Sequence, residues 1–141
     1  MTIVYLVTHG QKKEGPNPSL TPLGEFQLGQ LKDHLPPKLS TVVCGTGRRH
    51  LQTAEVLELC PDRYTNIVGV PESKDEACQM VFLADGTKIP FSQYTSIKDR
   101  APSFRQLIKS LENQTIVITS RPLIELSGLK GIFVPSAKKT I

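Results

Sequence analysis

The sequence predicts an α/β protein with three layers, α/β/α, in which helices cover both faces of a mostly parallel central sheet. Two observations favour this class. Strand-like and helix-like segments alternate through residues 2–70, and such alternation is typical of right-handed crossovers between parallel strands. The first strand, residues 2–8, is almost continuously apolar, as expected of a parallel strand that is covered on both faces.

The first helix is predicted by its capping residues. Thr21 is a good N-cap and Pro22 suits the first helical position, while the Pro36-Pro37 pair ends the segment. Apolar residues at helical spacing lie between these two signals. A helix is therefore expected from Pro22 until the proline pair.

The second strand is predicted at residues 41–44, and a helix follows at about 46–59, before Pro61. A third strand is predicted at residues 66–70, which read Asn-Ile-Val-Gly-Val. These elements continue the alternation that places consecutive strands in one parallel sheet.

Residues 71–100 show a different pattern. The runs at 79–84 and 87–91 flank Asp85-Gly86, a pair typical of a tight two-residue turn, and they predict a small insertion hairpin without a large cap domain. The remaining predicted elements are a helix at 101–113 with Pro102 near its start, a strand at 115–119, a helix at about 122–129 and a last strand near 132–134.

The length favours a single domain over residues 1–141, which can bury about two thirds of the surface of its unfolded chain. Three widely spaced cysteines, at positions 44, 60 and 78, argue against a disulfide framework or a zinc site and favour reduced thiols. The N-terminal apolar run is too short for a signal peptide or a membrane span, so a soluble cytoplasmic protein is expected.

The net charge of +4 is spread over small clusters of Lys and Arg. The long basic block and interleaved aromatic residues of a nucleic-acid groove are not found, so nucleic acid is not an expected partner. This pattern fits an anionic small ligand better.

Three sequence blocks point to a known family. The first strand ends in Thr8-His9-Gly10, residues 20–28 read Leu-Thr-Pro-Leu-Gly-Glu-Phe-Gln-Leu, and residues 46–54 read Thr-Gly-Arg-Arg-His-Leu-Gln-Thr-Ala. In this order they resemble the histidine phosphatase (phosphoglycerate mutase-like) superfamily. Its signatures are a strand ending Arg-His-Gly, then Leu-Thr-x-x-Gly-x-x-Gln, then Ser-Pro-x-x-Arg-Ala-x-Gln-Thr-Ala.

The chain departs from these signatures at several positions. Thr8 stands where the family has its first phosphate-binding Arg, and Gly45-Thr46 stands where it has Ser-Pro. The family's last motif, a strand running into Ser-His-Gly, aligns its histidine with Ser120. The resemblance therefore indicates ancestry and fold more strongly than present activity.

The resemblance implies one phosphate pocket at the carboxyl ends of the parallel strands, where helix N-termini offer backbone N–H groups. His9 is the expected nucleophile, which would attack phosphorus and form a phosphohistidine. Gly10 lets the loop turn and the phosphate approach the backbone. Arg49 matches the family's second phosphate-binding Arg, whose planar guanidinium suits a group that spreads charge over three oxygens.

The other candidates are less well defined by the motifs. Those for phosphate contacts are Thr8, Asn17, Ser120 and Arg121, the last as a replacement for a lost group. A general acid is expected among Glu72, Asp75 and Glu76, with Glu76 preferred. Arg48 is expected to face solvent or a helix neighbour, and His50 has no motif support.

Deleting one preorganised donor to a transition-state oxyanion typically lowers a rate by about 100-fold to 1000-fold. With two of four pocket groups missing, the sequence predicts a domain that binds phosphate with weak or no phosphatase activity. The alternative is an active phosphomonoesterase or phosphoprotein phosphatase that acts through a phosphohistidine on His9. The expected ligand is a phosphorylated small molecule or a phosphoprotein, and a dead relative would bind it or a protein partner. Neither a metal nor an organic cofactor is expected.

Overall fold

The computed structural model describes residues 4–10, 12–13, 19–35, 38–69, 80–82 and 88–128, with the backbone alone at 80–82 and 88–95. In chain order the elements are β1 (Val4–Thr8), α1 (Pro22–Lys32), β2 (Thr41–Cys44), α2 (Arg48–Val56), β3 (Arg63–Tyr64), a 3-10 turn (Asn66–Val68), β4 (Met80–Phe82), β5 (Lys88–Pro90), α3 (Phe91–Ser110), β6 (Thr115–Thr119) and α4 (Arg121–Leu126).

Within the described ranges, four parallel strands form one sheet in the order β1-β6-β2-β3. β6 lies between β1 and β2, and all five of its residues are buried. Thr8 is paired with Thr119, and Cys44 with Ile118, so β1, β2 and β6 end at the same edge of the sheet. This edge is where the sequence placed its candidate pocket.

Side chains that alternate along β6 pack into two separate clusters. Val117 lies in a cluster with Phe104 of α3 and Leu123 of α4. Ile116 and Ile118 lie in a second cluster, which holds side chains of α1 and α2. Since successive strand residues point to opposite faces, each pair of helices covers one face of the sheet. The predicted three-layer α/β/α fold with a parallel sheet is confirmed.

Several predicted elements have the predicted bounds. The strands at 41–44 and 115–119 are β2 and β6. Helix α1 begins at Pro22, and the hydroxyl of Thr21 accepts a hydrogen bond from the Gly24 amide at 3.0 Å. Here a local signal sufficed, because capping depends only on residues within one turn.

The strand predicted at residues 66–70 is wrong. Asn66–Val68 is a 3-10 turn, in which the hydroxyl of Thr65 accepts a hydrogen bond from the Ile67 amide at 3.2 Å. The third strand along the chain is Arg63–Tyr64, which pairs with the side of β2 away from β6 and starts three residues earlier than predicted. Val68 is fully buried in the cluster beneath α3. The apolar residues at 66–70 are therefore explained by core packing, and they do not indicate a strand.

Helix α3 begins at Phe91, whereas the sequence predicted a start at Ala101, and it continues through Pro102. A proline inside a helix costs about 3 kcal/mol because it removes a backbone hydrogen bond. Ile97, Ala101 and Phe104 are all buried at helical spacing, and this packing offsets that cost.

The predicted hairpin is present as antiparallel β4 and β5, with Phe82 paired to Lys88. A two-residue turn at Asp85-Gly86 would pair Leu83 with Lys88, so the strands are offset by one residue from that prediction. The turn itself and the strand predicted near 132–134 lie outside the described residues.

Helices α2 and α4 are shorter than the predicted segments 46–59 and 122–129. In the described part of the chain, no helix combines the length and the apolar character needed to cross a membrane.

Candidate active site

Three strand ends lie side by side at the carboxyl edge of the sheet. The amide of His9 donates to the carbonyl of Thr119 at 3.3 Å, and the amide of Gly45 donates to the carbonyl of Ile118 at 3.1 Å. These bonds continue the parallel pairing one residue beyond β1 and β2. They hold His9, Gly45 and Ser120 together, although the three are far apart in the sequence.

His9 has a defined tautomer. Its partly buried ring has Nδ1 2.7 Å from the carbonyl oxygen of Gly10. Because a carbonyl oxygen only accepts hydrogen bonds, Nδ1 carries the proton and Nε2 keeps its lone pair. An imidazole in this state has the nitrogen that a nucleophile requires.

Burial lowers the pKa of His9 to about 3, although the bond to the Gly10 carbonyl opposes this change. The positive charges of Arg49, Lys12 and Arg121 lower the pKa further. The imidazole is therefore neutral at pH 7.

Two of these cations come from helix starts. Arg49 is in the first turn of α2 and is only 2% exposed, so its guanidinium has a fixed position. Arg121 is the first residue of α4 and is partly exposed. Helix α2 follows β2 and helix α4 follows β6, so both arginines lie just beyond strands that end at the same edge of the sheet as β1. Arg48, next to Arg49, is exposed, as predicted.

His50 is the residue that the sequence interpretation missed. It is fully buried, and its ring meets the ring of His9 edge to face, with centroids 5.4 Å apart and planes at 83°. Its Nε2 lies 2.9 Å from Oγ of Ser120, and its Nδ1 has no hydrogen-bond partner among the described residues. His50 therefore joins the nucleophile candidate to the residue that aligns with the family's second histidine.

The pKa of His50 is also well below 6.5, first because of burial and then because a protonated ring would be repelled by the charge of Arg49 and by a proton on His9. Two neutral imidazoles consequently lie in contact at pH 7.

The loop before α2 makes room for His50. A Cβ atom on Gly47 would lie 2.7 Å from Nδ1 of His50, and one on Gly45 would lie 2.9 Å from its Cγ. Glycine at both positions is therefore needed for this ring position. Gly45, His50 and Ser120 all depart from the family signature, and His50 contacts both of the others. These contacts between distant residues are what identifies His50, and no motif along the chain shows them.

The motif blocks also hold each other in place. A Cβ atom on Gly10 would lie 2.4 Å from the carbonyl oxygen of Gly24, so the loop after β1 packs directly on the backbone of α1. The side chain of Gln52 in α2 accepts a hydrogen bond from the Leu20 amide at 2.7 Å. Gly10 was predicted for its approach to phosphate, and the structure adds this packing requirement.

The remaining candidates have varied positions. Thr8 is buried at the end of β1, where it pairs with Thr119. Asn17 and the three carboxylate candidates Glu72, Asp75 and Glu76 lie outside the described residues. No cluster of three or more metal-ligating side chains occurs in the described part of the chain.

Solved structures share this fold. A protein from Escherichia coli K-12 assigned as an alpha-ribazole-5'-P phosphatase matches with a TM-score of 0.65 and 14% identity, over 98% of this chain and 83% of that one. A protein from Agrobacterium tumefaciens assigned as the phosphohistidine phosphatase SixA matches with a TM-score of 0.57 and 14% identity, over 88% of this chain and 72% of that one. The product of the open reading frame Rv3214 from Mycobacterium tuberculosis matches with a TM-score of 0.56 and 21% identity, over 88% of this chain and 81% of that one.

No family model and no curated protein matches the sequence. The chain shares its fold with these solved structures, in agreement with the fold that the motif resemblance implied.

Proposed function

We propose that this chain is a divergent histidine-phosphatase-like domain that binds a phosphate group beside His9, with weak or no phosphatase activity. One observation carries the proposal: the ring of His9, at the carboxyl edge of the sheet, lies against the ring of His50, which directly follows the buried Arg49 in the first turn of α2. The positive charges of Arg49, Lys12 and Arg121 also lower the pKa of His9. A phosphorylated small molecule or a phosphoprotein supplies the anion that such a group of cations would bind.

The character of the cations favours phosphate. The guanidinium group is planar and always charged, and it binds phosphate oxygens through paired N–H donors. Arg49 is held in a buried position, so little conformational freedom is lost when an anion binds. A dianion at this place would also offset the repulsion that the three cations exert on a protonated His9.

Weak activity follows from two losses and one electrostatic effect. Thr8 and Ser120 replace an Arg and a His of the family pattern, and each loss is expected to lower the rate by about 100-fold to 1000-fold. The low pKa of His9 keeps its imidazole neutral, but low basicity also weakens it as a nucleophile.

The alternative function is an active phosphomonoesterase or phosphoprotein phosphatase. The hydrogen bond from Nδ1 of His9 to Gly10 favours it, because this bond leaves the Nε2 lone pair available for attack on phosphorus. In that reaction the bond from Nε2 to phosphorus forms while the bond from phosphorus to the leaving oxygen breaks. The leaving oxygen takes a proton from a general acid. Water then cleaves the phosphohistidine and releases inorganic phosphate.

We also propose a cytoplasmic location. Cys44 and Cys60 are free thiols, which fits a reducing compartment. Burial raises the pKa of the Cys44 thiol to about 12, so Cys44 acts as a small core residue.

Calorimetric titration with inorganic phosphate tests the binding proposal. We expect Arg49→Ala to weaken binding at least tenfold, whereas the neighbouring Arg48→Ala, at an exposed position, serves as the matched control and keeps most of the affinity. Thermal unfolding of each variant verifies that it is folded. Equal losses in the two variants, or no binding by the unaltered protein, would contradict the proposal.

A second measurement separates binding from catalysis. After incubation with an aryl phosphate, mass spectrometry of the peptide that contains His9 detects a phosphohistidine. Its presence in the unaltered protein and absence in His9→Ala would establish the active phosphatase. Phosphate binding without this adduct supports the inactive domain.

A further inference from the structure

We infer that His50 is a positioning residue that orients the Ser120 hydroxyl as a hydrogen-bond donor to the anion beside His9. This inference rests on the proposed phosphate site and adds two residues to it. It is carried by the contacts of His50, a side chain that no family motif singles out.

The surroundings of His50 are unusual for a residue that only fills space. Its ring is fully buried, and one nitrogen is bonded to Ser120 while the other has no partner in the described residues. Burying a polar ring is unfavourable unless hydrogen bonds compensate for it, and an apolar side chain of similar size would avoid this cost. The glycines at 45 and 47 leave room for the ring, so the loop is adapted to it.

The tautomer of His50 follows from its two nitrogens. The ring is neutral at pH 7, because burial lowers its pKa, and it therefore has a single N–H group. Buried N–H groups without an acceptor are rarer than buried acceptors without a donor. The proton is thus on Nε2, which donates to Oγ of Ser120 at 2.9 Å, and Nδ1 keeps its lone pair.

This arrangement determines what the Ser120 hydroxyl does. A serine oxygen accepts up to two hydrogen bonds and donates one. With His50 donating to Oγ, the hydroxyl hydrogen of Ser120 is directed to another acceptor. The ring of His50 that bonds to Ser120 also meets the ring of His9, with centroids 5.4 Å apart. The carbonyl of Thr119, just before Ser120, accepts from the His9 amide at 3.3 Å, so we place the hydroxyl beside the proposed anion site.

Long-range ¹H–¹⁵N NMR correlation of the histidine rings tests the tautomer without any ligand. We expect the proton of His50 on Nε2. A proton on Nδ1 would overturn the inference, because Ser120 would then have to donate to His50.

Calorimetry with inorganic phosphate tests the consequence. We expect Ser120→Ala and His50→Leu each to weaken phosphate binding about tenfold, and the double variant to lose no more than either single one. His50→Gln places an amide N–H near Ser120 and should restore most of the affinity. Thermal unfolding of each variant checks the fold, and this loss-and-rescue pattern is one that a purely structural role would not produce.

The outcomes distinguish the two proposals. If the unaltered protein binds phosphate and Arg49→Ala does not, but His50→Leu and Ser120→Ala bind normally, this inference alone fails. Independent, multiplicative losses in the double variant would also overturn it. If the unaltered protein binds no phosphate, the proposed function fails as well.

Discussion

On the side of the pocket that follows β1, His9 and Gly10 keep the spacing of the family signature. On the side formed by the ends of β2 and β6, the residues at 45, 46, 50 and 120 differ from it. We call these the β1 side and the β2–β6 side. On the β1 side His9 and Gly10 have the roles that the motif already implies, and Thr8 departs from the motif. On the β2–β6 side the substitutions are explained by their contacts with His50. The ring of His50 fits only because residues 45 and 47 lack a Cβ atom, and it bonds to Ser120.

This comparison shows how a site can diverge. The β1 side is tied to α1 by close backbone packing, so a change there disturbs the fold. The β2–β6 side is joined through side chains, which can be exchanged as a group. Substitutions on the β1 side should therefore destabilise the fold more than substitutions on the β2–β6 side.

Gly10→Ala should have the largest effect. Its new Cβ atom would lie 2.4 Å from the carbonyl oxygen of Gly24, and neither backbone can yield easily. We expect the free energy of unfolding to fall by about 3 kcal/mol or more, measured by urea denaturation. Gly29→Ala in α1 is the control, because nothing lies within 4 Å of its added Cβ atom, and it should stabilise the protein by up to about 1 kcal/mol. Similar effects of the two substitutions would show that the β1 side is not closely packed.

Acid should destabilise the protein through both sides of the pocket. The pKa of His9 is lowered to about 3 and that of His50 lies well below 6.5, so below pH 6.5 the unfolded chain binds protons that the folded chain does not. The stability contributed by the neutral rings is complete above pH 6.5 and is lost as the pH falls below it, for His9 down to about pH 3. While the folded ring stays neutral, each histidine contributes a slope of about 1.4 kcal/mol per pH unit to the free energy of unfolding.

The measurement is urea denaturation between pH 7 and pH 4. His50→Gln should reduce the slope of the unfolding free energy against pH by the contribution of one histidine. His34→Gln, at an exposed position of the chain, is the matched control and should reduce it less. An unchanged slope in His50→Gln would show that the buried ring does not resist protonation.

Gly47→Ala should have a smaller effect than Gly10→Ala, because the atom that it meets belongs to a side chain. Its Cβ atom would lie 2.7 Å from Nδ1 of His50, so the ring must shift. We expect a loss of about 1 to 3 kcal/mol in the free energy of unfolding. In the His50→Ala background the same substitution should cost much less, and a double-mutant cycle measures this coupling. Additive effects would argue against the β2–β6 side as one unit.

Gln52→Ala should have the smallest effect. It removes the hydrogen bond to the Leu20 amide, which is worth about 1 kcal/mol, and it leaves the strand ends in place. Glu55→Ala, at an exposed position of the same helix, is the control. A loss no greater than that of the control, in the same unfolding assay, would mean that this bond does not tie the motif blocks together.

Local signals in the sequence predicted much of the fold. The cap at Thr21, the proline pair after α1 and the apolar runs of β2 and β6 each depend on neighbouring residues. The errors occurred where distant packing decides the conformation. Pro102 indicated a helix start, but the buried Ile97 extends α3 upstream of it.

For the candidate site, the sequence alone proposed His9, Arg49 and Arg121 and the edge of the sheet at which their segments end, because the order of strands and helices makes parallel strand ends converge. Only the tertiary structure showed that His50 lies between His9 and Ser120, and that Gly45 and Gly47 accommodate it. A sequence motif describes residues that are neighbours along the chain. Residues 50 and 120 become neighbours only in the folded sheet, where β6 lies between β1 and β2.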